Sequence, residues 1–170
     1  MIRVATPADA AAIARVHVAT WRVAYAGLVP DAFLAGLSVP ANASRWESLL
    51  ADPRRRVWVA GGAEPSGFAA AGPARDADLP ESSGELYALY VLPSAQRRGT
   101  GRALAEAALA WWEPTGRSVS VWTLTDNAAA RAFYAATGWV PDGAERESDI
   151  GGALVREVRY RRSVSPGSAT

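Results

Sequence analysis

The stretch Glu85-Leu-Tyr-Ala-Leu-Tyr-Val-Leu92, followed by Pro93-Ser-Ala95 and then Gln96-Arg-Arg-Gly-Thr-Gly101, determines the fold that the sequence predicts. Its first part is rich in aromatic and branched side chains and is apolar on both faces, as in a central strand that is covered on both sides. Pro93 ends this strand, and a helix is predicted over 101–112. The sequence therefore predicts a strand, a glycine-containing turn and a helix in succession.

The turn between this strand and this helix has the chemistry of an anion site. Gly99 and Gly101 let the backbone approach an anion closely, and the free N–H groups and dipole of a helix start favour a pyrophosphate. Arg97, Arg98 and Arg102 add cationic donors. No Gly-Lys-Ser/Thr follows, which excludes a P-loop, and two glycines leave a dinucleotide-binding fingerprint incomplete. A basic turn with a glycine cap and no ligand is the remaining alternative.

The rest of the chain predicts alternating short strands and helices. Thr6-Pro7-Ala8-Asp9 is a helix-start signal, and the helix that follows places Ile13, His17, Trp21 and Tyr25 on one stripe. Further strands are predicted at 2–5, 57–60, 67–71, 118–124, 139–141 and 153–161, and further helices at 30–37, 41–50 and 127–137. An acidic, glycine-containing loop is expected to join the last two strands. One domain is predicted over 1–162, with a mobile tail over 163–170.

Composition excludes several classes of function. The 170 residues include 49% hydrophobic and 21% charged residues, which fits one globular domain. The formal net charge is +1, and the basic residues are scattered along the chain. No nucleic-acid or membrane partner is therefore expected. Cysteine is absent and His17 is the one histidine, so no metal centre and no cysteine nucleophile are expected. No leader or membrane-spanning segment is apparent, and a cytoplasmic protein is expected by default.

Two linked motifs carry a resemblance to a known family. Gln96 to Gly101 matches the signature Q/R-x-x-G-x-G/A, and the segment from Asn127 to Trp139 matches N-x-x-A-x-x-F-Y-x-x-x-G-F. In these residues the chain resembles the GNAT superfamily of N-acetyltransferases. The resemblance implies an α/β (α+β) fold with a mixed, splayed central sheet of about seven strands flanked by about four helices. It also implies acetyl-CoA as the acyl donor and no metal.

The resemblance assigns cofactor and catalytic roles to individual residues. It implies that the backbone of Leu89, Tyr90 and Val91 pairs with the pantetheine arm, and that a bulge near Leu89-Tyr90 opens the sheet. The turn residues would hold the pyrophosphate; they are Gln96, Arg97, Arg98, Gly99, Thr100, Gly101 and Arg102. Asn127 and Ala130 would line the cofactor site. The Tyr134 phenol would protonate the departing thiolate. Glu85 is the candidate base, with a water chain as the alternative.

The acceptor side is less specified. Trp21 and Tyr25 are candidates for a pocket wall, although such aromatics are more often core residues. Acidic residues near 76–81 and 142–149 are candidates for attracting a cationic amine, with solvated loops as an equal alternative. The leading hypothesis is direct transfer of an acetyl group to a primary amine of a small molecule or amino acid. The alternatives are a protein N-terminal or lysine acetyltransferase and a non-catalytic acyl-CoA sensor. The resemblance allows a homodimer, and no stretch of the sequence specifies its interface.

Overall fold

The protein, examined as a computed structural model, is described over residues 1–112 and 118–164. Within these ranges it has seven strands and five α-helices, together with 3-10 turns at Pro7–Asp9 and Pro93–Ala95. The strands are β1 (Ile2–Val4), β2 (Arg56–Ala60), β3 (Gly67–Pro73), β4 (Gly84–Val91), β5 (Ser118–Leu124), β6 (Val140–Ile150) and β7 (Ala153–Ser163). The helices are α1 (Ala10–Ala24), α2 (Asp31–Gly36), α3 (Val39–Leu50), α4 (Thr100–Trp112) and α5 (Ala128–Ala136). None of these helices is both long and apolar enough to cross a bilayer.

All seven strands form one mixed sheet in the order β1-β2-β3-β4-β5-β7-β6. Every neighbouring pair is antiparallel except β4 and β5, which run parallel. The predicted mixed sheet of seven strands is confirmed, with five α-helices where about four were expected. The parallel pair extends over two residue pairs only, Gly84 with Val119 and Glu85 with Ser120. Beyond Glu85 the two central strands diverge, as the predicted splayed sheet requires.

A β-bulge lies in β4 beside the divergence. Ala70 of β3 opposes Ala88, but Ala71 opposes Leu86, so Tyr87 is an extra residue in β4. The prediction of a bulge near Leu89-Tyr90 is therefore wrong by two residues. The cause lies in β3, where a Cβ on Gly72 would come within 2.6 Å of the Tyr87 ring. Glycine at position 72 leaves room for this ring, whose hydroxyl donates to the Pro73 carbonyl.

Two hydrophobic cores cover the two faces of the sheet. Leu86, Leu89 and Val91 of β4 pack with α4 and α5, whereas Ala88 and Tyr90 pack with α1 and α3. This alternation follows from the period of two along a strand and places the two helix layers on opposite faces. The expected buried character of β4 on both faces is confirmed, so residues of one strand reach both sides of the gap beside β5.

The C-terminal hairpin corrects two sequence predictions. The segment 142–149, expected to be an acidic loop, belongs to β6, which pairs with β7 around a turn at Gly151-Gly152, where both φ angles are positive. Glu145, Glu147 and Asp149 alternate outward with half-buried neighbours, a period that the dense charge concealed. β7 extends through Ser163, and Val164 is buried, so the domain ends later than 162. The remainder of the predicted tail, 165–170, lies outside the described residues.

The start of the first helical segment rests on Asp9, as the sequence predicts. Its carboxylate accepts hydrogen bonds from the Thr6 N–H at 2.7 Å and the Thr6 hydroxyl at 3.0 Å. It also forms a bidentate pair with Arg3 of β1 at 2.7 and 2.8 Å. The Asp9 side chain is 8% exposed, and the bond from Arg3 is the largest cause that holds its pKa well below the usual range. Asp9 thus joins β1 to the helical layer.

We expect Asp9→Asn to lower the free energy of unfolding at pH 7 by about 2 kcal/mol, because the variant loses charge-assisted bonds at a partly buried cap. The folded-state pKa is depressed, so this stabilisation is present above the unfolded value of about 3.9 and is lost as pH falls through the folded value. Urea unfolding at pH 7 and pH 3 measures both effects. Glu64→Gln, which removes the partner of exposed Arg15, is the control and should change stability little. An equal loss at both pH values would contradict the assignment.

Candidate active site

One edge of β4 is open where the sheet splays. Leu89, Tyr90 and Val91 pair with β3 on one side, but on their other side no strand of 1–112 or 118–164 pairs with them, because β5 has diverged. The Gln96 amide donates to the Val91 carbonyl at 2.9 Å and so holds the end of β4 against the turn that follows. The geometry leaves room for an extended chain along β4, and it gives the Gln96 side chain a bracing contact with the protein itself.

The turn after β4 presents unused backbone donors. Arg97 and Gly99 have φ values of +59° and +82°, and α4 starts at the next residue, Thr100. The first hydrogen bond of this helix runs from the Ala103 N–H to the Gly99 carbonyl at 2.9 Å. Within the described chain, the N–H groups of 97–102 donate to no backbone or side-chain acceptor. Successive free N–H groups at a helix start form an anion cradle that fits a pyrophosphate.

Helix α5 approaches this cradle from the side. A Cβ on Gly101 would lie 3.3 Å from the Phe133 ring, so a glycine here lets α4 and α5 pack closely. Asn127 is the N-cap of α5, and its side-chain oxygen accepts from the Ala130 N–H at 3.1 Å. The Arg102 guanidinium donates to the Ala136 carbonyl at 3.3 Å, at the end of α5. Of the residues predicted to bind the cofactor, Asn127 thus caps α5, and Arg102 joins α4 to the end of α5.

Tyr134 lies beneath the gap. Its side chain is 6% exposed and packs against Phe133, Trp139 and Tyr160. Burial and the neighbouring Tyr90 phenol raise the pKa of the Tyr134 phenol above its usual value. Burial also raises the pKa of Tyr25, with smaller contributions from Tyr90 and Tyr134. Three phenols, one from α1, one from β4 and one from α5, therefore lie within electrostatic reach of one another at the gap.

On the opposite face from α4 and α5 lies a cavity of about 160 Å³. Its lining comes from α1, β4 and the three strands beyond the gap, and it combines aromatic walls with two arginine–glutamate pairs. The aromatic members are Trp21, Tyr25, Tyr87, Tyr90 and Trp122, and the charged members are Arg75, Glu85, Arg146 and Glu157. Among the residues described, no three His, Asp or Glu side chains are arranged to hold a metal ion.

Glu85 is bound to an arginine inside this cavity. Its side chain is 2% exposed, and it accepts three bonds from Arg75, from Nε at 3.0 Å, from a terminal nitrogen at 2.5 Å and from the backbone N–H at 3.1 Å. The bond to Glu85 is the main cause that raises the pKa of Arg75. Both oxygens of the carboxylate are therefore occupied. Glu85 is therefore not the solvated strand end that sequence alone allowed, because the guanidinium and the backbone N–H of Arg75 both bind its carboxylate.

The loop that carries Arg75 is fixed by a buried arginine of β7. Arg159 pairs with both oxygens of Asp78 at 2.6 and 2.8 Å, and with one oxygen each of Asp76 at 3.2 Å and Asp142 at 2.8 Å. Asp76 also accepts from the Trp122 indole N–H at 2.8 Å. These contacts join the loop before β4 to β5, β6 and β7 across the floor of the cavity. Asp76, Asp78 and Asp142 serve this structural purpose rather than forming a solvated acidic patch.

Comparison with known proteins identifies the family. The profile of the Acetyltransferase (GNAT) family matches residues 22–139. The chain belongs to this family. "Uncharacterized N-acetyltransferase YuaI" from Bacillus subtilis is 35% identical over 92% of this chain and 89% of its own length. "Probable N-acetyltransferase Rv2775" from Mycobacterium tuberculosis is 31% identical over 98% and 96%. The structure of yncA from Salmonella typhimurium with its cofactor acetyl-CoA has a TM-score of 0.70 at 21% identity, covering 99% and 96% of the two chains.

The GNAT fold brings the predicted residues into two groups. The turn residues, Leu89–Val91, Asn127, Ala130 and Tyr134 lie around the gap and α5, and Glu85, Trp21 and Tyr25 lie around the cavity. Trp21 and Tyr25 form an edge-on ring pair 4.6 Å apart and also pack on the small core beneath α2, so they are both core and cavity wall. His17 accepts from the Trp46 indole at 3.2 Å and stacks on Tyr90, a structural position.

Sequence reasoning did not find five lining residues, namely Arg75, Tyr87, Trp122, Arg146 and Glu157. They come from a loop and from strands that are distant in the sequence. Their proximity can be predicted only when the order of the strands in the sheet is known. The outward alternation of Glu145, Glu147 and Asp149 was the one available signal for Arg146.

We expect Gly99→Ala to weaken acetyl-CoA binding about tenfold, because a φ of +82° costs an L-residue about 1–2 kcal/mol and relaxation would turn N–H groups out of the cradle. Calorimetric titration measures the dissociation constant. Gly143→Ala is the matched control, since Gly143 has a φ of +88° and open space around its Cβ but lies in β6. Equal effects of the two substitutions on binding would contradict the cradle.

Proposed function

We propose that the protein is an acetyl-CoA-dependent N-acetyltransferase that transfers the acetyl group directly to a primary amine of a small molecule or amino acid. One observation carries the proposal: Tyr90 belongs to the open edge of β4 and also lines the cavity, so the edge proposed for the donor and the cavity proposed for the acceptor adjoin each other. A donor held along β4 and an acceptor held in the cavity would therefore bring their reactive ends together.

The donor side fits the residues present. When bound, acetyl-CoA supplies an activated thioester. The free N–H groups of 97–102 would hold its pyrophosphate, the open edge of Leu89–Val91 would pair with the pantetheine arm, and the Asn127 amide nitrogen would bond to it. An N–H of this edge aimed at the thioester carbonyl would stabilise the negative charge that develops there during attack.

Tyr134 is the proposed general acid. A general acid must carry its proton before transfer, and the raised pKa keeps the Tyr134 phenol protonated at neutral pH. Its proton would pass to the sulfur as the carbon–sulfur bond breaks, and the phenol would recover a proton from the reacted amine or from water. The burial of the ring among Phe133, Trp139 and Tyr160 fixes its direction.

The proton of the amine has two candidate destinations, Glu85 or a chain of water molecules. Glu85 lies in the cavity wall, which supports a role near the acceptor, but its oxygens are both engaged by Arg75. This engagement favours the water chain, with Glu85 fixing the guanidinium of Arg75 in the wall. Glu85 would act as the base only if that ion pair opened.

A protein acceptor is the second candidate, and one observation favours it. A wider groove of about 500 Å³ adjoins the cavity, with Leu124 in both linings. Asp126 and Glu147 line this groove and would suit a basic peptide. The aromatic cavity of about 160 Å³ is close to the size that holds one small ring and favours the small acceptor instead.

The proposal is tested by acetyl-CoA calorimetry together with thiol release over amines, amino acids and peptides. Binding with turnover of small amines or amino acids is the expected result. Turnover of peptides alone would select the second candidate. Tight binding without release on any acceptor would favour a non-catalytic acyl-CoA sensor, and no binding would overturn the donor assignment.

We expect Tyr134→Phe to lower kcat about 100-fold, because the variant cannot donate a proton to the leaving sulfur. The dissociation constant for acetyl-CoA should change less than about threefold, since the aromatic packing is kept. Because the pKa of Tyr134 is raised from about 10, the wild-type rate should show no loss from Tyr134 ionisation up to about pH 10. Tyr160→Phe, one ring away, is the control. Unchanged turnover in Tyr134→Phe would remove the general-acid assignment.

Glu85→Gln and Arg75→Met separate the two candidate routes for the amine proton. If Glu85 serves to fix Arg75, both variants should lower kcat/KM by a similar factor, about tenfold, and both should keep the rise of rate with pH. If Glu85 is the base, Glu85→Gln alone should lose about 100-fold or more and flatten that rise. We expect the first result because of the bidentate contact, and pH–rate profiles of the two variants decide it.

A further inference from the structure

The charged side chain that β6 turns toward the cavity has the opposite sign from its acidic neighbours. Glu145, Glu147 and Asp149 are exposed on the other face, whereas Arg146 is half-buried and lines the cavity. The acidic run of the sequence therefore places a cation, not a set of carboxylates, against the acceptor.

The guanidinium of Arg146 is held in place, but only part of its hydrogen-bonding capacity is used. Its guanidinium lies 4.1 Å above the Trp122 ring, and its Nε donates to Glu157 at 2.7 Å. Its two terminal nitrogens have no acceptor among the described residues, and its side chain remains 37% exposed. A stacked guanidinium with both terminal nitrogens free is arranged to receive a carboxylate through two parallel bonds.

Glu157 likewise has hydrogen-bonding capacity that the described residues leave free. One of its oxygens accepts from Arg146 and from the Ser148 hydroxyl at 2.6 Å. The other oxygen has no donor within the described ranges. Glu157 also contributes to the raised pKa values of Tyr25 and Tyr90, so it lies within electrostatic reach of the phenols at the gap. Glu85 does not compete with Glu157 for the ligand, because the Glu85 carboxylate is already bound to Arg75.

We propose that the acceptor is a free α-amino acid, or an analogue with an anionic group at the same position, whose carboxylate binds Arg146 and whose amine lies against Glu157. This inference rests on the proposed N-acetyltransferase function and narrows its substrate. The amine and carboxylate of an α-amino acid are about 3 Å apart, since two bonds join the nitrogen to the carboxyl carbon. The ligand would therefore pair head to tail with the adjacent Arg146 and Glu157.

The aromatic walls account for the rest of such a ligand. Trp21, Tyr25 and Tyr90 provide an apolar surface for a side chain. The indole N–H of Trp21 is buried and has no hydrogen-bond partner among the described residues. An amine without an anionic group would leave the terminal nitrogens of Arg146 without an acceptor on the ligand.

The test compares three matched acceptors, leucine, leucinamide and 3-methylbutylamine, and repeats the series with phenylalanine, its amide and phenethylamine. Thiol release with saturating acetyl-CoA gives kcat/KM for each compound. We expect at least one free amino acid to exceed its amide and its decarboxylated amine by about 10- to 100-fold, because two charge-assisted bonds are lost in the analogues. Binding of the same amino acid to the protein with CoA, measured by calorimetry, should follow the same order.

Arg146→Gln should remove this preference, because kcat/KM for the amino acid should fall by about 10- to 100-fold more than kcat/KM for the amine, while the dissociation constant for acetyl-CoA stays unchanged. Arg15→Gln, which breaks the exposed pair with Glu64 and removes the same charge, is the control and should keep the preference. If Arg146→Gln unfolds because Glu157 loses its partner, the double substitution Arg146→Gln and Glu157→Gln removes both charges and takes its place.

The outcomes separate this inference from the proposed function. Equal or faster turnover of amines or amides than of amino acids would overturn the amino-acid assignment and leave the small-amine function intact. Turnover of peptides alone would overturn the assignment and select a protein acceptor. Acetyl-CoA binding without turnover of any acceptor would overturn both.

Discussion

The two residue pairs that join β4 to β5 are the constraint on which the rest of the structure depends. Parallel strands that stayed paired would fill their own hydrogen bonds and close the sheet. Here pairing stops after Glu85 and Ser120, and the extra residue Tyr87 turns β4 away. The resulting gap exposes backbone donors on one edge of β4 and lets side chains from both faces of the sheet approach one another. Cradle, phenols and cavity are arranged around this single interruption.

An open gap in a sheet needs support from elsewhere, and charged groups supply it. Arg159 gathers three aspartates from the loop before β4 and from β6, and the loop in turn carries Arg75 onto Glu85. Burial of Arg159 and Glu85, and the near-burial of Asp76 and Asp142, would be costly if these charges were unpaired, and each has a partner at 3.2 Å or less. The pairing fixes the floor of the cavity on the side where the sheet itself provides no hydrogen bonds.

The backbone on the side proposed for the donor could be predicted from the sequence, because its turn, helix start and helix cap are local features. The turn from Gln96 to Gly101, the start of α4 and the cap of α5 each follow from residues that are neighbours in the chain, and the structure places them as expected. The acceptor side depends on strand order, which local patterns do not specify. The strand predicted at 139–141 overlaps the start of β6, but its continuation was not predicted, because acidic residues hid the alternation over 144–150 and suggested a loop.

The difference between the two sides has a physical origin. Phosphate is held by backbone N–H groups, and glycines that permit such a backbone are visible in any sequence that has them. The cavity proposed for the acceptor is lined by side chains from α1, β4, β6 and β7, whose charges compensate one another in pairs, so that no net charge in the sequence marks the site. Arg146 and Glu157 illustrate this compensation. In the sequence they are two charged residues among other acidic and basic residues. Only the strand register, which places Arg146 opposite Glu157, makes them an ion pair with hydrogen-bonding groups left free.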